Sequence, residues 1–71
     1  MQEYKTIEQR TCLDVMNLNK FDATKLIRTR GLVDNISEEG KIVYPKKDPC
    51  FISHRINLKI YRGRVVSAVI G

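Results

Sequence analysis

Seventy-one residues suffice for one small domain, near the lower limit at which a hydrophobic core alone offsets chain entropy, so a second copy of the chain is an expected partner. With 42% hydrophobic and 30% charged residues the composition is that of a folding globular chain, which excludes a disordered tail. The formal charge of +5 favours polyanionic partners, and no long apolar run or signal-like N-terminus argues for a membrane or secretion.

The first predicted element is a helix over residues 6–17. Thr6-Ile7-Glu8-Gln9 has the form of a capping box, in which the Thr6 hydroxyl accepts from the Gln9 amide and the Gln9 side chain reaches back. Cys12, Leu13 and Met16 fall on one face of this helix and are expected to point inward. Asn17 can adopt the left-handed conformation of a tight turn, and Leu18 can fill the corner that follows.

A second helix is predicted over 19–30. Asn19 serves as N-cap, Asp22 places a carboxylate in the first turn, and Gly31 stops the helix after Arg28, Thr29 and Arg30. Ala23, Leu26 and Ile27 form its inward face. Lys20, Thr24, Lys25 and Arg28 share the outward face, the chemistry that meets phosphates and base edges when a helix enters a major groove. Phe21, near the groove-entering end, is suited either to a thymine methyl or to burial in the core. Two helices across a sharp turn, the second one basic, read as a helix-turn-helix.

Beyond Gly31 the pattern changes from helical period to alternation. Residues 32–44 predict a β-hairpin around Ser37-Glu38-Glu39-Gly40, with Gly40 supplying a positive φ and Pro45 closing the second strand. Residues 46–53, containing Pro49, read as a loop or strand edge. Residues 56–70 alternate cleanly on both sides of Arg62-Gly63 and predict a second antiparallel hairpin. The expected fold is therefore α+β in one domain spanning 1–71, a helix-turn-helix followed by two antiparallel hairpins in the manner of a winged helix. Its expected core is Leu13, Met16, Leu18, Ala23, Leu26, Ile27, Leu58, Ile60 and at least one of Val66 and Val69.

Charge is distributed unevenly along this order. Residues 19–31 carry a net +3 and residues 41–71 a net +6, whereas residues 32–40 carry −3 from Asp34, Glu38 and Glu39. A DNA-facing surface would use the second helix and the C-terminal half, with the acidic turn held away from phosphate. The candidates for that surface are Lys20, Phe21, Thr24, Lys25, Arg28 and Arg30 of the helix, Lys41, Lys46 and Lys47 beyond the first hairpin, and Arg62 and Arg64 at the tip of the second.

Residues 13–45, LDVMNLNKFDATKLIRTRGLVDNISEEGKIVYP, resemble the C-terminal DNA-binding domain of phage antirepressor proteins, the KilA-C or ANT type. The order of helix, turn, helix, Gly-Leu and hairpin is also similar to the small winged-helix modules of excisionases and MerR-type regulators. The resemblance covers about half of the chain. It implies double-stranded DNA as the partner and a role in phage or mobile-element gene regulation.

Other chemistries find less in the sequence. Cys50 and His54 have the spacing of half a zinc site, but completing it requires Cys12 and Asp48 to converge, so no metal and no cofactor is expected. A single histidine, no glycine-rich phosphate loop and no nucleophile motif leave no case for an enzyme. Tyr44, Phe51 and Tyr61 are spaced irregularly for an RNA-stacking platform. Reduced cysteines and a cytoplasmic location are expected. The rival reading is an interaction protein that docks on a larger host or phage protein, adding its apolar C-terminal strand Val65–Ile70 to another sheet.

Overall fold

A computed structural model of the protein describes residues 5–45 and 50–71. Helix α1 spans Ile7–Asp14 and opens on the Thr6/Gln9 capping box, with both reciprocal hydrogen bonds made at 3.0 and 3.1 Å. It stops short of the predicted residue 17. The Met16 amide reaches back to the Leu13 carbonyl in a tighter turn, and Asn17 follows at φ 67°, the left-handed conformation that reverses the chain.

Helix α2 spans Lys20–Thr29, with the Asn19 side chain accepting from the Asp22 amide as N-cap. Its far end is a Schellman motif: the Leu32 amide donates to the Ile27 carbonyl and the Gly31 amide to the Arg28 carbonyl, with Gly31 at φ 76°. The chain then enters a sheet of β1 (Val33–Glu39), β2 (Ile42–Val43), β3 (Arg55–Tyr61) and β4 (Arg64–Ile70). Both predicted hairpins form, but the first turns later than the expected Ser37–Gly40: Ser37, Glu38 and Glu39 belong to β1, and Glu39 pairs with Ile42 across a two-residue turn of Gly40, at φ 62°, and Lys41. Arg62 and Gly63, at φ 52° and 77°, give the second the two left-handed central residues of a type I′ turn.

The two hairpins join into one four-stranded sheet of order β2-β1-β3-β4, because β1 and β3 pair in parallel from Val33↔Arg55 to Glu39↔Ile60. Ile56, Leu58 and Ile60 of β3 and Val65 of β4 face the helices. Both helices lie on that face, α1 against β3 and β4 and α2 against β1 and β4. Val15, Ala23, Ile27 and Leu32 complete the buried core, with Cys12, Leu18, Leu26, Ile36, Ala68 and Ile70 packed around it.

Three of the expected core positions lie elsewhere. Leu13 is 58% exposed and Met16 38%, because α1 turns Thr11 and Val15 toward the sheet instead. Thr11 can occupy that buried face because its hydroxyl is satisfied, donating to the Ile7 carbonyl at 2.7 Å and accepting from Arg30 at 3.0 Å. On β4 the core residue is Val65, and both Val66 and Val69 are exposed. A bulge between Lys59 and Ile60 shifts the β3/β4 register at this point. Leu26 is half-buried at the edge of the core and Ile27 is its fully buried centre.

Candidate nucleic-acid interface

The N-terminal end of α2 meets both hairpin turns. Asn19 forms a β-bridge with Arg64, and the Arg64 guanidinium donates to the Asn17 carbonyl at 3.0 Å, which brings the β3–β4 turn beside the start of the helix. The Gly40 amide donates to the Ile60 carbonyl at 2.8 Å, placing the β1–β2 turn at the same end of the sheet. Lys20 ties that turn to the helix through an ion pair with Glu39 at 3.1 Å. Lys20, Phe21, Lys41, Arg62 and Arg64, separated by up to 44 positions in sequence, are thereby gathered at one end of the molecule.

Phe21 lies in the first turn of α2 and is 80% exposed, the most exposed large apolar side chain among the described residues. The core is filled on the opposite side of α2 by Ala23 and Ile27, which settles the choice left open for Phe21 against burial. Lys25 and Arg28 continue the same outward face, one and two turns on from Phe21. Arg62 lies over the Tyr61 ring, 5.3 Å from its centroid, a cation–π contact at the hairpin tip.

The acidic turn is neutralised within the fold rather than held apart. Glu39 pairs with Lys20, Glu38 with Lys59 at 2.8 Å, and Asp34 takes a two-point hydrogen bond from Arg28 at 2.7 and 3.2 Å. Asp34 also raises the Arg28 pKa, by that hydrogen bond and then by its charge, so Arg28 is a permanent cation. Ion pairs as exposed as Lys20–Glu39 are worth about 1 kcal/mol or less, so exchanging the carboxylate for a phosphate costs little.

The remaining candidates divide. Thr24 spends its hydroxyl on the Phe21 carbonyl at 3.2 Å and faces the helix flank. Arg30 points the other way, to Asp14 at 2.8 Å and Thr11, and braces α1 against α2. Lys46 and Lys47 lie outside the described residues. Sequence reasoning missed Tyr61 as the support for Arg62, and Asn17 as the acceptor that fixes Arg64; the first has an i,i+1 signal, the second has none. Among the described residues no three His, Cys, Asp or Glu side chains gather as metal ligands, and Asp48 of the hypothetical zinc set lies outside them. No helix among them is long and apolar enough to cross a membrane.

No family model, curated protein or solved structure matches the chain.

Proposed function

We propose that this protein binds double-stranded DNA through the N-terminal end and outward face of α2, with the β3–β4 turn on the adjoining phosphates. The observation that carries this reading is the exposed Phe21 ring set among cations drawn from three separate segments, Lys20 and Lys25 of α2, Lys41 of the first turn and Arg62 and Arg64 of the second. Lysine and arginine at such an end supply phosphate contacts, and a ring at the groove-entering position gives apolar contact with a thymine methyl.

The test is anisotropy of a labelled duplex titrated with the protein at two salt concentrations. Phosphate-driven binding weakens steeply as salt rises, and Lys25→Ala or Arg62→Ala should each weaken binding across all sequences and reduce the salt slope by about one. Phe21→Ala should weaken binding with little change in that slope. Arg28 is the poorer test residue, because its removal strips Asp34, whose side chain is only 17% exposed, of its partner. Wild-type protein without affinity for duplex at low salt defeats the proposal.

A further inference from the structure

The cations of the proposed interface differ in what they already touch. Lys20, the first residue of α2, donates from Nζ to both carboxylate oxygens of Glu39, at 3.1 and 3.2 Å. Arg28, in the last turn, is held in the same two-point way by Asp34. Among the described residues, Lys25, Lys41, Arg62 and Arg64 form no ion pair.

The sheet sets the Glu39 carboxylate in place. Glu39 ends β1, where it is matched with Ile60 of β3 on one side and with Ile42 of β2 on the other, so its backbone is fixed from both directions. Ile60 belongs to the core, and residues side by side in a sheet share a face, so Glu39 projects on the helix side toward the start of α2. Glu38, one position earlier, takes the opposite face, where Lys59 is its partner. Two neighbouring carboxylates are thereby separated: only Glu39 stands on a cation of the interface.

The two pairs of α2 also differ in how readily they part. The Asp34 side chain is only 17% exposed, so Arg28 cannot leave it without stranding a largely covered carboxylate. In the Lys20–Glu39 pair the side chains are 38% and 34% exposed, and water can take over either partner when they separate. Two carboxylate oxygens on one ammonium offer Lys20 the same charge-assisted contact that phosphate oxygens would.

We infer that Glu39 is an internal competitor for the phosphate that Lys20 meets on duplex DNA, an autoinhibitory contact that rests on the DNA reading above. In the free protein the carboxylate occupies the ammonium. In the complex Lys20 exchanges it for a phosphate, and Glu39 is left unpaired beside the DNA backbone, where its charge opposes binding. Lys20 therefore adds less to affinity than an ammonium without such a partner, and a duplex gains from it only where a phosphate lies within reach to offset the lost pair.

Anisotropy titrations of a labelled duplex with the full chain test this, comparing wild-type protein with Glu39→Gln, Glu38→Gln, Lys20→Ala and the double variant of Lys20→Ala with Glu39→Gln. Glu39→Gln keeps the size of the side chain, so its circular dichroism spectrum should match that of wild type. It should tighten binding by up to about fivefold, and by more than Glu38→Gln, which removes the same charge one position away. Lys20→Ala should weaken binding more in the Glu39→Gln background than in wild type, because only there is the ammonium free beforehand. In nuclear magnetic resonance spectra the side-chain carboxyl carbon of Glu39 should shift on addition of duplex while that of Glu38 stays. A gain no larger than that of Glu38→Gln, a Lys20→Ala loss equal in both backgrounds, or a Glu39 resonance that duplex does not move overturns the inference and leaves the DNA reading standing. Wild-type protein and Glu39→Gln both without affinity at low salt defeat the DNA reading, and the competitor with it.

Discussion

Arg64 reaches back 47 positions to donate a hydrogen bond to the carbonyl of Asn17, the left-handed residue between the two helices. The tip of the last hairpin is thus fastened to the turn that sets the angle of α2. Motion of either one would carry the other, so the geometry of the proposed interface depends on a turn that does not itself touch DNA.

Asn17 is accordingly a sensitive position. Its φ of 67° is costly for a β-branched side chain, so Asn17→Val should destabilise the fold by roughly 1–2 kcal/mol. Asn17→Gly should leave stability unchanged or slightly raised, because glycine takes this conformation without strain. Urea unfolding midpoints of the two variants check the contrast, and equal losses would show that the side chain rather than the backbone matters.

Ile27 and Phe21 make a matched pair on opposite sides of α2. Ile27 is fully buried, so Ile27→Ala should cost about 2–5 kcal/mol through lost burial and the cavity left behind. Phe21→Ala should change stability by no more than about 0.5 kcal/mol while lowering duplex affinity. A Phe21 variant that unfolds as readily as the Ile27 variant would place the ring in the core.

Arg55 is a buried charge held by carbonyls. Its guanidinium donates to the Gly71 carbonyl through Nε at 3.0 Å and also through Nη2, which reaches the Cys50 carbonyl at 3.1 Å. Arg55→Met keeps the apolar stem of the side chain but removes both guanidinium donors from the Gly71 carbonyl, at a cost of about 1–3 kcal/mol. Arg55→Lys should recover only part of that, since one ammonium lacks the planar fork that spans two acceptors. Thermal denaturation of the three proteins should rank them Arg, Lys, Met.

Cys12 offers a readout of packing between α1 and the sheet. Burial pushes its thiol above the ordinary value of 9.0, so the folded state holds the proton more tightly than the unfolded chain does. The stabilisation is complete below that ordinary value and is lost as pH rises through the raised one. With Cys50→Ser removing the second thiol, iodoacetamide should label Cys12 more slowly in the folded protein than in urea, and at alkaline pH stability should fall. Equal labelling rates in the two states would show that packing of α1 on the sheet does not cover it.

The features legible in the sequence are those whose cause lies within a few residues. The Thr6/Gln9 capping box, the Asn19 cap, the glycine stop at Gly31, the left-handed Asn17 and the Arg62-Gly63 turn depend on contacts four or five positions away at most, so residue type and spacing suffice to fix them. Helix faces were legible only where the pattern was unambiguous: Ala23 and Ile27 turn inward as read, but in α1 a threonine with a satisfied hydroxyl took the place that apolar spacing assigns to Leu13. Tertiary structure alone decided the rest. Parallel pairing of β1 with β3 fused two hairpins into one sheet, and that sheet brought Glu39 to Lys20, Asp34 to Arg28 and Arg64 to Asn17. Charges carry no address in a sequence. Which cation meets which carboxylate, and which face of Phe21 meets solvent, follows only when the buried surfaces of helix and sheet have fixed one packing for the whole chain.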